Sequence, residues 1–196
     1  MKTAFFDRDG TIAEDYPDEE WAKVNTPVLM PYAIEVLQYL HVIGYQIIII
    51  TNQYLIGEGF ITQTQYDAYH GKLLSLLKGA DIAILDVFYC PHKRTDGCDC
   101  QKPGTGLIRQ ALQKYPDIDL SSGFVVGDSL CDMQMAENLQ IEAYGIGIEY
   151  SYKKFTKVKD MKDLLYILKT KDSDTTGDRR EKRQQNAPSR LWRCHR

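Results

Sequence analysis

The sequence has no apolar run near the ~20 residues that a membrane-spanning helix requires. Runs such as Ile47–Ile50 are long enough only for a strand. The N-terminus passes from Met1 into a predicted strand at Thr3, which leaves no room for a signal peptide. We therefore expect a cytoplasmic protein that does not enter a membrane.

Cysteine is scarce, and its odd number of five disfavours a disulfide framework. Three of the five, Cys90, Cys98 and Cys100, lie within eleven residues, and His92 stands among them. This crowding indicates metal binding.

A basic surplus is also absent, since the formal net charge is −3. The balance is −8 in residues 1–168 and +5 in residues 169–196. The acidic body argues against a nucleic-acid-binding surface there. We predict one domain, residues 1–169, followed by a basic disordered tail, residues 170–196, whose segment Arg179–Arg183 could contact nucleic acid or an acidic membrane.

Short apolar runs alternate with longer amphipathic ones along the body of the chain. The predicted strands are Thr3–Phe6, Gln46–Ile50, Gly123–Val126 and Ala143–Ile146. The predicted helices are Tyr32–Val42, Gln63–Leu77, Gly106–Tyr115, Asp132–Leu139 and Met161–Leu168. This alternation predicts an α/β fold, a Rossmann-like three-layer α/β/α sandwich with a parallel sheet.

Polar clusters follow three of these strands. Asp7 follows the first strand, Thr51 and Asn52 follow the second, and Asp128 follows the third. Parallel sheets bind their ligands at the carboxyl ends of the strands. We therefore expect these side chains to share one site.

The pair Asp7 and Asp9 carries the first chemical signal. Two neighbouring carboxylates repel each other, and their hard oxygen atoms suit Mg²⁺. Gly10 permits a sharp turn that brings backbone amides near a bound anion. Such a pair could supply a nucleophile, Asp7, which forms an aspartyl-phosphate, and an acid–base group, Asp9. An EF-hand is excluded because Asp18 occupies the position of its bidentate Glu.

The segment Phe6–Thr11 resembles the first motif of the haloacid dehalogenase (HAD) superfamily of phosphatases. The resemblance implies that Thr51 hydrogen-bonds the phosphoryl group and that Lys102 supplies a fixed cation beside it. The segment Val125–Asp132 resembles the fourth motif of that family. Asp132 would then steady the site or Lys102.

The same resemblance assigns a Mg²⁺ site. Its ligands would be Asp7, Asp128 and the backbone carbonyl of Asp9. Asn52 would orient the leaving group or brace Asp9.

The cysteine–histidine loop, Cys90–Cys100, offers three thiolates and one imidazole, the ligand set of a closed structural zinc site. Iron–sulfur ligation is the alternative. The loop ends two residues before Lys102, so zinc would fix the segment that carries this lysine. With this loop, the stretch Phe5–Ile148 resembles the capless HAD branch that includes heptose-bisphosphate and histidinol-phosphate phosphatases.

Two positions depart from that branch. Gln101 stands where both groups usually carry an arginine, and it lacks the charge and the bidentate fork that would recognise a second phosphate. Ser129 stands where the heptose enzymes tend to have a basic residue. Tyr16 and Trp21 are candidates for either a substrate-facing wall or local packing. The candidate substrate-binding residues are Arg8, Gly10, Thr11, Asn52, Gln53 and Gln101.

We therefore predict a Mg²⁺-dependent phosphomonoester hydrolase of carbohydrate metabolism, a monomer that acts on a small phosphorylated metabolite, best matched by a heptose (bis)phosphate. A histidinol-phosphate phosphatase and a nucleic-acid 3′-phosphatase guided by the basic tail are alternative enzymes. A catalytically silent phosphate-binding module is the alternative from another functional class.

Overall fold

Six strands form one sheet in this structure, a computed structural model that describes residues 1–149 and 155–185, with side chains as far as residue 173. The strands are β1 (Thr3–Phe6), β2 (Gln46–Asn52), β3 (Asp86–Cys90), β4 (Phe124–Gly127), β5 (Glu142–Ile146) and β6 (Thr156–Val158). All neighbouring strands are parallel. Their order across the sheet is β3-β2-β1-β4-β5-β6.

Helices alternate with these strands along the chain. They are α1 (Ala33–Val42), α2 (Tyr54–Glu58), α3 (Gln63–Gly79), α4 (Gly106–Lys114), α5 (Leu130–Leu139) and α6 (Met161–Gln185). The four strands and five helices predicted from the sequence are all present, with shifted ends. The strands β3 and β6 and the short helix α2 were not predicted.

Helices cover both faces of the sheet, because alternate residues of a strand point to opposite sides. Phe6 of β1 belongs to a core covered by α1, α3 and α6, and Phe5 to a second core covered by α4 and α5. Both phenylalanines are fully buried, and burying such a side chain contributes roughly 1.5–3 kcal/mol. The predicted three-layer sandwich is confirmed, and no inserted domain separates its strands within residues 1–149.

The last helix, α6, continues past residue 170, the point at which the sequence predicted the ordered domain to end. Residues 186–196 lie outside the described residues, so the predicted disorder of the tail stays a prediction. Across the described ranges, α6 included, no helix combines the length and the apolar character needed to cross a membrane.

The centre of the sheet brings distant parts of the chain together. Strand β1 pairs with β2 on one side and with β4 on the other. The backbone N–H of Asp7 donates to the carbonyl of Val126 at 2.9 Å. From β1 the strand order runs to β2 and β3 on one side and to β4, β5 and β6 on the other. Open parallel sheets bind their ligands where the strand order reverses in this way.

Candidate active site

A cleft of about 220 Å³ opens at the carboxyl ends of β1, β2 and β4. The four predicted catalytic residues line it together: Asp7, Asp9, Thr51 and Lys102. Asp128 joins them from the end of β4. The remaining lining residues are Asp15, Trp21, Asn52, Tyr54, Leu55, Ser129 and Cys131.

Lys102 is the buried cation of this cleft, with a side chain only 2% exposed. Its Nζ lies 2.8 Å from Asp7 Oδ1 and 2.6 Å from Asp132 Oδ1. The same ammonium group donates to the carbonyl of Ile50 at 3.0 Å. All three hydrogens therefore have acceptors, which fixes the lysine charge beside Asp7.

Opposing effects set the pKa values of this pair. Burial alone would lower the pKa of Lys102, but the carboxylates of Asp132 and Asp7 outweigh it and raise that pKa. Burial raises the pKa of Asp7 to about 8; Lys102 opposes this shift, and the neighbouring carboxylates add to it. An ionised Asp7 therefore calls for more positive charge in the site than one lysine supplies.

A carboxylate group that fits a divalent cation lies beside this pair. Oxygen atoms of Asp7, Asp128 and Asp132 all lie within 4.8 Å of one another. Burial and the charge of Asp132 raise the pKa of Asp128 to about 6. These hard oxygen atoms and their mutual repulsion suit Mg²⁺.

Gly10 gives this carboxylate group its space. Its φ is +75°, and a Cβ placed there would lie 1.9 Å from Asp128 Oδ2. Only glycine therefore allows the loop after β1 to approach β4 so closely.

The carboxylate of Asp9 points away from this group, toward Arg8 and Gln53. Arg8 Nε donates to Asp9 Oδ1 at 2.8 Å, and Arg8 Nη2 donates to Oδ2 at 2.8 Å. Gln53 Nε2 also donates to Oδ2, at 2.7 Å. The predicted cation ligand at position 9 is its backbone carbonyl, and the third carboxylate that lies near Asp7 and Asp128 is that of Asp132.

Three of the predicted substrate-binding side chains are buried. Arg8 is 1% exposed, and Thr11 and Gln53 are fully buried. Arg8 and Gln53 contact Asp9, and Thr11 Oγ1 has no hydrogen-bond partner among the described residues. Gln101 is not among the residues that line the cleft. Side chains of these four residues therefore do not form its walls.

Asn52, at the end of β2, forms hydrogen bonds with the backbone of Lys102. Asn52 Oδ1 accepts from the backbone N–H of Lys102 at 2.8 Å, and Asn52 Nδ2 donates to the Lys102 carbonyl at 3.2 Å. Asn52 thus supports Lys102; the sequence had suggested Asp9 or the leaving group. Thr51 Oγ1 accepts from Gln53 Nε2 at 2.9 Å, which leaves its hydroxyl hydrogen available to another acceptor.

Ser129 caps the helix that follows β4. Its Oγ accepts from the N–H of Asp132 and donates to Asp132 Oδ2 at 2.5 Å. This capping box fixes the direction of Asp132, whose other oxygen holds Lys102. A Cβ on Gly127 would lie 2.3 Å from Asp132 Cγ, so that glycine is required here too.

The cysteine–histidine loop brings its four predicted ligands together. Cys100 Sγ lies 3.1 Å from His92 Nδ1 and 3.1 Å from Cys90 Sγ, and Cys98 Sγ lies 3.4 Å from both other sulfurs. These separations are too long for a disulfide, and none of the described cysteines forms one. Similar separations between three sulfurs and one nitrogen fit a tetrahedral metal ion.

Glycines hold this loop close to its neighbours. A Cβ on Gly57 of α2 would lie 2.6 Å from the carbonyl oxygen of Pro91, and one on Gly104 would lie 2.4 Å from that of Asp99. The backbone N–H of Gln53 donates to the Cys90 carbonyl at 2.7 Å. The loop is therefore wedged between the segment after β2 and the segment that carries Lys102.

Sequence reasoning missed Asp15, Tyr54 and Leu55 as cleft residues. Leu55 and Tyr54 belong to the unpredicted helix α2. Trp21 lines the cleft although it is only 4% exposed, and its Nε1 donates to Asp15 Oδ1 at 3.2 Å. Tyr16 packs edge-on against Trp21, with ring centroids 5.5 Å apart, and does not line the cleft.

A comparison with protein families agrees with this geometry. The family model described as polynucleotide kinase 3 phosphatase matches residues 2–163. The chain belongs to that family. The HAD phosphatase family predicted from the sequence is confirmed, and with it the enzyme class, a hydrolase of phosphoric monoesters.

Curated relatives carry two kinds of name. "Probable D-glycero-D-manno-heptose-1,7-bisphosphate 7-phosphatase" of Thermoplasma volcanium is 41% identical over 128 residues, which cover 65% of this chain and 86% of the relative. "Histidine biosynthesis bifunctional protein HisB" of Buchnera aphidicola is 33% identical over 166 residues, 84% of this chain. The present chain spans only 45% of that bifunctional protein.

A solved structure supports the fold. D,D-heptose 1,7-bisphosphate phosphatase from B. bronchiseptica, crystallised with magnesium and phosphate, superposes with a TM-score of 0.76 at 24% identity. The superposition covers 87% of this chain and 99% of the other. At this identity the likeness shows the fold alone.

Proposed function

We propose that this protein is a Mg²⁺-dependent phosphatase that hydrolyses small phosphomonoesters through an aspartyl-phosphate on Asp7. The observation that carries the proposal is the buried contact of 2.8 Å between Asp7 and Lys102, beside the carboxylates of Asp128 and Asp132. An acidic nucleophile, a fixed cation and a divalent-cation site are the parts that phosphoryl transfer needs.

Asp7 and Lys102 would act on the phosphoryl group itself. A carboxylate oxygen of Asp7 attacks phosphorus, and the bond to the leaving oxygen breaks. The Lys102 ammonium is already fixed 2.8 Å from Asp7 Oδ1, so it stabilises charge on the phosphoryl group without rearranging. The free hydroxyl hydrogen of Thr51 can donate to a second phosphoryl oxygen.

Asp9 would act first as general acid and then as general base. It gives a proton to the leaving alcohol in the first step and takes one from the attacking water in the second. Its position in the same cleft as Asp7 supports both roles.

Asp7, Asp128 and the Asp9 carbonyl would hold Mg²⁺, which would supply the positive charge that offsets the phosphoryl group. Asp132 stays with Lys102 and Ser129, since one of its oxygens contacts each of them. We assign zinc to Cys90, His92, Cys98 and Cys100 as a structural ion, because four protein ligands leave no open position.

A small sugar phosphate is the proposed substrate, in particular a heptose (bis)phosphate. The 41% identity to a relative with a heptose-bisphosphatase name supports it. Gln101 weakens the case for a second phosphate, and histidinol phosphate remains the second candidate because of the HisB relatives. The cytoplasmic location and the monomeric state are part of this proposal.

A phosphate-release assay tests the function. Purified protein is offered heptose bisphosphate, histidinol phosphate, a 3′-phosphorylated oligonucleotide and p-nitrophenyl phosphate, with and without Mg²⁺. We expect Mg²⁺-dependent release from a small ester and none from Asp7→Asn. The matched control is Asp81→Asn, since Asp81 is exposed and its φ of +59° suits asparagine.

Three results would contradict the proposal. Appreciable turnover by Asp7→Asn would exclude Asp7 as the nucleophile. Absence of any Mg²⁺-dependent release by the intact protein would leave the phosphate-binding module as the better reading. Efficient cleavage of the oligonucleotide, lost when residues after 170 are deleted, would instead favour the nucleic-acid 3′-phosphatase.

A further inference from the structure

Arg8 is the largest fully buried side chain of the described residues, and its charge is directed at a single carboxylate. Its Nε and Nη2 atoms form a two-pronged contact with the two oxygens of Asp9, both at 2.8 Å. Planar, bidentate pairing fixes the orientation of a carboxylate as well as its charge. Asp9 is therefore held in one orientation from behind the cleft.

Gln53 completes a closed ring of hydrogen bonds around Asp9. Its Oε1 accepts from Arg8 Nη2 at 2.9 Å, and its Nε2 donates to Asp9 Oδ2 at 2.7 Å. Both residues are buried, so water does not compete strongly for these bonds. The ring holds Arg8, Asp9 and Gln53 as one unit.

Three aromatic rings surround the arginine. The guanidinium carbon lies 5.6 Å from the ring centroid of Trp21, 5.3 Å from that of Tyr66 and 5.0 Å from that of Tyr69. Contacts of this kind stabilise a buried guanidinium. They also join Asp9 to α3, which carries both tyrosines, and to the loop after β1, which carries Trp21.

The two oxygens of Asp9 are not equivalent in this arrangement. Oδ2 accepts two hydrogen bonds, from Arg8 Nη2 and Gln53 Nε2, and both of its lone pairs are used. Oδ1 accepts one, from Arg8 Nε, and keeps one lone pair. Only Oδ1 can therefore carry a proton while the ring stays intact.

We infer that Arg8 is a positioning residue that acts through Asp9, and that the Asp9 oxygen paired with Arg8 Nε is the atom that exchanges protons with substrate. This inference rests on the proposed function. In the first step, the proton on Oδ1 passes to the leaving oxygen as its bond to phosphorus breaks and the bond from Asp7 forms. In the second, Oδ1 takes a proton from water as the water oxygen bonds to phosphorus and the Asp7–phosphorus bond breaks.

Arg8→Lys is the variant that tests this role, because lysine keeps the charge and loses the two-pronged contact. We expect kcat for an unactivated ester such as glycerol phosphate to fall on the order of 10–100-fold, with KM within about 3-fold. Formation of the phosphoenzyme from p-nitrophenyl phosphate, followed by rapid quench, should change far less, since that leaving group needs no proton. Arg109→Lys is the control, because Arg109 forms an exposed pair with Asp99 away from the cleft.

A double-mutant cycle separates this role from a structural one. In the Asp9→Asn background, Arg8→Lys should cause no further loss of the residual phosphorylation rate, because the group through which it acts is gone. Equal losses in both backgrounds, or equal losses for both substrates, would overturn the inference. A structure with a tetrahedral phosphate mimic should show Oδ1 of Asp9 facing the leaving-group side; Oδ2 there would overturn the choice of atom.

If Arg8→Lys does not fold, Gln53→Met removes the second donor to Oδ2 and should give the same substrate dependence with a smaller loss. If the proposed function is wrong, the wild-type protein itself releases no phosphate with Mg²⁺. An active wild type with an unaffected Arg8→Lys variant would exclude only the role of Arg8.

Discussion

The ammonium group of Lys102 lies 2.8 Å from the Asp7 carboxylate in the interior of the cleft. We expect Lys102→Gln to lower kcat about 10²–10³-fold, because a fixed charge beside the phosphoryl group is lost. Steady-state kinetics of phosphate release measure this. Lys114→Gln removes an exposed ion pair with Asp86 and should leave kcat unchanged; similar losses in both variants would contradict the role of Lys102.

The buried Asp7 carboxylate should make the metal-free protein less stable as the pH rises. Burial raises the pKa of Asp7 from 3.8 to about 8, so the folded protein holds this proton more tightly than the unfolded chain does. Stability is then present in acid and is lost between about pH 4 and pH 8. Asp7→Asn should melt above the wild type without Mg²⁺, by a margin larger at pH 8 than at pH 5.

Calorimetry at the two pH values, with and without Mg²⁺, checks this. The cation should raise the melting temperature of the wild type and act little on Asp7→Asn. If the difference in melting temperature between Asp7→Asn and the wild type shrinks from pH 5 to pH 8, burial does not raise the pKa of Asp7.

Loss of the cysteine–histidine metal should lower activity without touching the catalytic residues. We expect Cys98→Ser to lose one zinc per chain in elemental analysis, to melt several degrees lower and to turn over more slowly. The loop lies against the segment that carries Lys102, so loss of the metal should disturb the position of this lysine. Cys131→Ser is the control for metal content, since Cys131 lies outside the cluster; equal zinc in both variants would contradict the assignment.

Gly10→Ala should abolish Mg²⁺-dependent turnover. The new methyl carbon would overlap Asp128 Oδ2, at 1.9 Å, and would push that carboxylate out of the cation site. Gly44→Ala is a matched control, because Gly44 also has a positive φ, +85°, yet has nothing within 4 Å. It should cost about 1 kcal/mol of stability through strain alone and keep full activity.

The positions of the proposed catalytic residues were predictable because each depends on a local pattern. Asp7 and Asp128 both follow a short apolar strand, and parallel strands end at a common edge. Asp132, one helical turn beyond Asp128, was predicted to steady either the site or Lys102, and its carboxylate lies 2.6 Å from Lys102 Nζ.

Side-chain direction was not predictable in the same way. Arg8 was grouped with the substrate-binding residues, whereas its side chain is buried and contacts Asp9. Its burial depends on Trp21, Tyr66 and Tyr69, which come from two other segments. Strand β3 was missed because it lies at the edge of the sheet, where most of its side chains are only partly buried.

The pairing of β1 with β4 determines the point during synthesis at which this chain could first catalyse a reaction. A nascent chain that has emerged only as far as β3 contains Asp7, Asp9 and Thr51 but no partner strand on the other flank of β1. Lys102 follows β3, Asp128 follows β4 and Asp132 belongs to α5, so such a chain would lack the proposed cation ligand Asp128 as well as the lysine and its acidic partner. Catalysis would begin only once the middle of the sheet has closed, and C-terminal truncations before α5 should be inert even where they remain folded.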